Sequence, residues 1–95
     1  MNISDLEWDD ENVEHIALHN VTPKEVEDVC YGLHISGRES RQRYILCGQT
    51  EGGRYLNVVI ERIGGGLFRP ITAFDMSISY IRKYRKMLGK WRNRH

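Results

Sequence analysis

The fold is decided by residues 43–73, RYILCGQTEGGRYLNVVIERIGGGLFRPITA. Two runs rich in β-branched and aromatic residues flank the Glu-Gly-Gly turn at 51–53, a composition typical of a β-hairpin. The three glycines at 64–66 predict a second turn. Residues 67–73 then form a further strand, in which Pro70 requires an edge or a bulge. Because strands joined by hairpins are antiparallel neighbours, this segment predicts an antiparallel meander.

Two helices are predicted before the meander. Asp9 follows a short alternating segment and has the position of an N-cap, for a helix that runs to about His19. Thr22 and Glu25 have the spacing of a capping box, with proline at the first helical position between them. This second helix is expected to end at Gly32, because glycine is common where helices terminate.

One helix is predicted after the meander. Its expected N-cap is Asp75 or Ser77, and apolar residues follow at helical spacing. This stripe comprises Ile78, Ile81, Tyr84, Leu88 and Trp91. The polar residues 37–42 are expected to form an exposed loop.

The predicted fold class is α+β, a single domain over residues 1–95. We expect a two-layer arrangement, in which two N-terminal helices and one C-terminal helix pack on one face of an antiparallel meander of three or four strands. The chain length of 95 residues and the hydrophobic share of 40% suit one globular domain.

Composition also indicates the environment. The sequence contains no apolar run of transmembrane length, so no membrane association is predicted. The first residues lack the pattern of a secretory signal, which favours a cytoplasmic location. Cys30 and Cys47 are then expected to be reduced, buried thiols.

Charge is divided unevenly along the chain. Residues 1–35 hold nine acidic and one basic side chain, whereas residues 36–95 hold thirteen basic and four acidic ones. A basic surface facing a polyanion is one use of this asymmetry. The alternative is an acidic helical layer packed beside a basic sheet.

The two histidines of the first helix have a spacing that could hold a metal ion. His15 and His19 are four residues apart and share a helical face, a spacing that suits zinc. The Glu expected beside the first histidine is replaced by Ile16, and no further ligands lie nearby in the sequence. We therefore predict no metal site and no cofactor, and interpret the pair as half-exposed helix residues.

Basic and aromatic side chains alternate in the meander. Arg43 and Arg62, with Tyr44 and Tyr55, are predicted to contact RNA, since cations grip the phosphate backbone and aromatic rings stack on bases. Arg54 shares the parity of Arg62 and should point to the same sheet face. The alternative interpretation is a solvated sheet surface.

Short motifs occur along the chain in a characteristic order. They are Trp8-Asp9, Asn12, His19-Asn20-Val21-Thr22, Arg43-Tyr44, Gly48-Gln49-Thr50, Gly53-Arg54-Tyr55-Leu56, Val58-Val59 and Arg69-Pro70-Ile71-Thr72-Ala73. In order and spacing, from about Leu6 to about Tyr84, they resemble the BrnT-type toxins. These are the RelE-like ribonuclease halves of bacterial toxin–antitoxin pairs.

The resemblance implies a RelE-like fold, metal-independent RNA cleavage, and inhibition by an antitoxin that is usually a ribbon-helix-helix protein. Such cleavage drives a 2′-hydroxyl against the adjacent phosphate, which calls for positive charge and a proton acceptor. We assign phosphate stabilisation to Arg54 and Arg69, and the base to Glu61 or His19. Arg43 would position the RNA backbone. A homo-oligomer is compatible with the sequence.

Two positions depart from the family. Phe74 stands where the family commonly has Arg, and Tyr80 where it commonly has Glu. Two hypotheses follow: an endoribonuclease toxin, or a weakened or inactive module that binds RNA or protein on the same fold.

Overall fold

The computed structural model describes residues 1–94, in which five strands and three helices form the domain. In chain order they are β1 (Asp5–Leu6), α1 (Asp10–Ala17), α2 (Pro23–Tyr31), β2 (His34–Arg38), β3 (Arg43–Gln49), β4 (Tyr55–Gly64), β5 (Leu67–Asp75) and α3 (Ile78–Arg94). The sheet order is β1-β5-β4-β3-β2. The α+β class and the element order are confirmed. Within this described part, every helix is too short or too polar to cross a membrane.

The antiparallel meander comprises β2 to β5, and β1 adds a short parallel pairing with β5. Pro70 lies at a bulge, because Val59 pairs with Thr72 while the next residue, Ile60, pairs with Pro70. The expected loop at 37–42 is wrong in part. Residues 37 and 38 belong to β2 and continue its ladder with β3, and only residues 39–42 connect the two strands.

The predicted helix starts are confirmed. The Asp9 carboxylate accepts a hydrogen bond from the Asn12 N–H at 3.0 Å, and the Asn12 side chain accepts one from the Asp9 N–H at 2.9 Å. Thr22 and Glu25 form the same reciprocal box at 3.1 and 3.2 Å. Ser77 rather than Asp75 caps α3, since its hydroxyl accepts from the Tyr80 N–H at 3.1 Å.

The helices lie on two faces of the sheet, which differs from the expected single helical layer. Tyr44 and Leu46 point into the core beneath α1 and α2. Their β3 neighbour Cys47 packs in a second cluster with Tyr84 of α3. Because successive side chains of a strand point to opposite faces, α3 covers the face opposite to α1 and α2.

The apolar stripe of α3 is also shorter than predicted. Tyr84 is buried and Leu88 packs against the second cluster, but Ile78 is 72% exposed and Trp91 43% exposed. The middle of the helix therefore anchors it to the sheet.

Asn12 joins the first helix to the sheet. Its buried side-chain amide donates to the carbonyl oxygens of Glu7 at 2.9 Å and Pro70 at 3.1 Å. The same side chain caps α1, so one residue fixes the position of α1 on both β1 and β5.

Candidate RNA-contacting site

The four residues predicted to be catalytic fall into two groups at opposite ends of β4. Arg54 and His19 lie near its first residue, whereas Glu61 and Arg69 pair with each other near its end. Seven residue-to-residue steps, roughly 23 Å of extended chain, separate Arg54 from Glu61. The structure therefore does not bring the four into one site.

The Arg54 guanidinium is the centre of an ion-pair cluster. Its Nε and Nη2 donate to the two carboxylate oxygens of Asp75 at 2.7 and 3.1 Å. Its Nη1 donates to Glu25 at 3.1 Å and to the Asn20 carbonyl at 2.7 Å, and Nη2 donates to the His19 carbonyl at 3.1 Å. Arg54 thus ties the α1–α2 connection to the end of β5. A phosphate would have to displace these acceptors to reach it.

The electrostatics of this cluster follow from its geometry. Hydrogen bonding to the Arg54 guanidinium lowers the pKa of Asp75. The same carboxylate raises the pKa of Arg54, as does Glu25. Sequence reasoning missed both acidic partners, although the capping box had already placed Glu25 at the start of α2.

His19 lies at the exposed end of the α1 turn. Its ring centroid is 6.3 Å from that of His15 and 6.2 Å from that of Phe74. Within residues 1–94, no group of three or more His, Cys, Asp or Glu side chains is arranged to hold a metal ion.

The second group forms a row across the three central strands. Arg43, Glu61 and Arg69 are successive register partners on β3, β4 and β5. The Arg43 Nε lies 3.9 Å from the Glu61 carboxylate, and both side chains are about two-fifths exposed, at 43% and 39%. A partly exposed carboxylate beside a guanidinium can accept a proton while the cation holds a phosphate.

Arg69 is less free than its place in this row suggests. Its guanidinium donates to both Asp9 carboxylate oxygens and to Glu7 at 3.4 Å, and it lies 3.9 Å from Glu11. Its hydrogen bonds are the main reason that the pKa of Asp9 is lowered. Like Arg54, it holds the helical layer to the sheet.

The two tyrosines predicted to stack on bases are both packed internally. Tyr44 is 8% exposed, meets the Phe68 ring edge-on at 6.2 Å, and accepts a hydrogen bond from Arg38 at 3.2 Å. Tyr55 packs edge-on against Tyr84 of α3 at 6.0 Å. Burial of Tyr44 contradicts its assignment as a stacking residue, because its β3 parity directs it into the core.

Arg62, the remaining predicted RNA contact, and Tyr80, one of the two departures from the family, both contact neighbouring side chains of the domain. Arg62 is exposed and stacks on Phe68, with 6.0 Å between the guanidinium carbon and the ring centroid. It shares the sheet face of Arg54, as predicted. Tyr80 packs into the α3 cluster, with its hydroxyl 3.5 Å from the Cys47 thiol. That hydrogen bond raises the pKa of Tyr80.

Comparison with known proteins identifies the fold. No family model matches the chain, and neither does any curated protein. A solved structure with a similar fold is the crystal structure of the Brucella abortus ribonuclease toxin BrnT, with a TM-score of 0.63 and 17% sequence identity. The match covers 77% of this chain and 96% of that chain, so the expected BrnT-like fold is confirmed.

Proposed function

We propose that this chain is the toxin of a toxin–antitoxin pair and cleaves RNA without a metal ion. The observation that carries the proposal is the fold shared with a ribonuclease toxin across 96% of that protein's length. The order of sequence motifs, which resembles the BrnT-type toxins, supports it independently.

The Arg43–Glu61 pair is the best candidate for the chemistry. Glu61 accepts the proton of an RNA 2′-hydroxyl, whose oxygen attacks the adjacent phosphorus. The bond to the 5′-oxygen then breaks, and a protonated group or water returns a proton to the leaving oxygen. Arg43 stabilises the charge that develops on the phosphorane. Arg69 flanks the pair from β5 and keeps its geometry through Asp9.

A second candidate function is a non-catalytic module that binds RNA or protein on the same fold. The observation that favours it is the engagement of Arg54 and Arg69 by internal carboxylates. Phe74 and Tyr80 add no charge where the family commonly has an Arg and a Glu.

Purified protein and a defined single-stranded RNA distinguish these functions. We expect cleavage to persist in EDTA and to fall by about a hundredfold or more in Glu61→Gln. The matched control is Glu39→Gln, which removes an exposed carboxylate from the β2–β3 loop. Activity that EDTA abolishes and a divalent ion restores would contradict the metal-independent mechanism. RNA binding without cleavage would favour the second function.

The proposed partner is an antitoxin of the ribbon-helix-helix class, acting in the cytoplasm. By covering the cations of the meander, it would block access to phosphate. Co-expression with the product of the adjacent gene should yield a stable complex in which Arg43 is protected from solvent. An antitoxin complex that leaves the Arg43–Glu61 pair open would argue against this mode of inhibition.

A further inference from the structure

α3 forms a separate layer of positive charge. Its 17 residues include seven Lys or Arg and no Asp or Glu. α1 and α2 together hold six acidic residues and one lysine, and they cover the opposite face of the sheet. The acidic and basic parts of the sequence are therefore also separated in space, because the sheet lies between the acidic helices α1 and α2 and the basic helix α3.

The cations of α3 differ from those of the sheet in their contacts. Every ion pair found among the described residues uses Lys24, Arg43, Arg54 or Arg69 as its cation. Each of these already faces a carboxylate. The α3 cations from residue 82 to residue 92, whose side chains the structure describes, enter none of these ion pairs and are exposed, so their positive charge is directed to solvent.

Three of these cations form a straight row. Arg82, Lys86 and Lys90 are four residues apart and exposed. They lie opposite Tyr84 and Leu88, the side chains that anchor the helix to the sheet. Residues four apart lie on adjacent turns of the same helical face, at intervals of about 6 Å along the helix axis. Lys83 widens the row, and together with Arg82 and Lys86 it lines a shallow depression of about 400 Å³.

We propose that this row on α3 is the surface that docks the phosphate backbone of RNA, an inference that rests on the proposed function and specifies where the substrate is held. A linear array of cations suits a chain of phosphates, whereas a single small anion requires donors that converge on one point. The acidic layer on the opposite face repels the same polyanion and so orients the molecule with α3 toward it. A membrane surface is less well matched, because Tyr84 and Leu88 pack against the sheet and the apolar side chains left exposed on α3, which are Ile78, Met87 and Trp91, do not share one face of the helix.

The test is equilibrium binding of a fluorescent 20-nucleotide RNA to the full chain at several salt concentrations. The variant is Arg82→Gln/Lys86→Gln/Lys90→Gln, since glutamine keeps helix propensity and removes charge. The matched control is Lys24→Gln/Arg38→Gln/Arg41→Gln, which removes the same charge from exposed positions on α2, on β2 and in the β2–β3 loop.

For single strands the logarithm of affinity falls with the logarithm of salt concentration by about 0.7 per phosphate contacted. Loss of three contacts should therefore lower this slope by about 2 and weaken binding on the order of fiftyfold at 0.15 M salt. The control triple should keep both the slope and most of the affinity. Circular dichroism establishes that both variants are folded.

Three results would overturn the proposal, and they are distinguishable from one another. Wild-type protein that binds RNA, with the α3 triple unchanged in affinity and in salt dependence, would place the RNA away from α3 and leave the proposed function standing. Wild-type protein that neither binds nor cleaves RNA would overturn the proposed function and this inference together. Binding of phosphatidylglycerol vesicles that the α3 triple abolishes, while RNA binding is unaffected, would assign α3 to a membrane surface instead.

Discussion

Replacing Arg54 tests whether this residue serves stability or cleavage. Arg54→Ala removes the ion pairs to Glu25 and Asp75 and two hydrogen bonds to backbone carbonyls. The Glu25 pair is about three-quarters shielded, with side-chain exposures of 26% and 25%, whereas Asp75 is 62% exposed and contributes less. Hydrogen bonds to charged groups contribute about 1.5–3 kcal/mol when shielded, so we expect a loss of about 2–3 kcal/mol.

In a domain of this size, each 1 kcal/mol lowers Tm by roughly 4–8 °C, which predicts a fall of about 10–20 °C. Arg54→Lys keeps the charge but loses the bidentate contact, so its Tm should lie between those of the wild type and Arg54→Ala. Urea unfolding followed by far-ultraviolet circular dichroism measures the difference, with the exposed loop variant Arg41→Ala as the control. Suppose that Arg54→Ala unfolds at the same urea concentration as Arg41→Ala but no longer cleaves RNA. Arg54 is then a catalytic residue, and the structural interpretation is refuted.

The N-cap Thr22, the Arg54 partner Asp75 and the buried thiol of Cys30 each give a further prediction. Thr22→Ala removes the N-cap of α2 and should lower the free energy of unfolding by about 1 kcal/mol, measurable in the same urea assay. Arg54 lowers the pKa of Asp75 in the folded protein. The ion pair therefore stabilises the fold fully at pH values above the unfolded-state pKa of about 3.9. This stabilisation is lost as the pH falls through the lower pKa of the folded state. Acid titration should therefore destabilise wild-type protein more steeply below about pH 4 than Asp75→Asn; equal slopes would contradict the pairing. Burial raises the pKa of Cys30 to about 12, so a thiol reagent at pH 8 should modify it only after unfolding, and rapid labelling of Cys30 in the native protein would disprove its burial.

Local signals in the sequence were sufficient for much of the fold. The capping boxes at Asp9 and Thr22 involve residues three apart, so their chemistry is visible without tertiary information. The β3–β4 and β4–β5 hairpins are similarly marked by their glycines. Pro70 was predicted to lie at an edge or a bulge, because proline cannot donate to an uninterrupted ladder, and the structure places it at a bulge.

The long-range features could not be predicted in the same way. Periodicity showed that α3 has an apolar stripe, but a stripe does not specify which sheet face it covers. Tyr44 illustrates the same limit, since its alternation with neighbours was evident and its burial depended on where the helices packed.

The candidate site was harder still to predict, because the arginines were chosen by type and strand position. Arg54 meets partners that lie 21 to 35 residues away in the chain, and Arg69 meets Asp9 across 60 residues. These carboxylates decide whether a strand arginine is available for phosphate. Arg43 and Glu61 were each predicted as site residues from the sequence. That they lie side by side could be known only from the register of β3 and β4.

The separation of charge between the two helical layers changes what the formal charge of +1 means. Beyond a Debye length of about 8 Å, the molecule exerts only a weak net pull on a polyanion, and its rate of encounter should be ordinary. Within that distance the two helical layers act on a polyanion with opposite sign, and the resulting torque turns the α3 layer toward it before contact. The charge distribution of this protein therefore affects its orientation toward a polyanion more than its association rate. Moving a cation from one helical layer to the other would weaken binding even though the net charge stays the same.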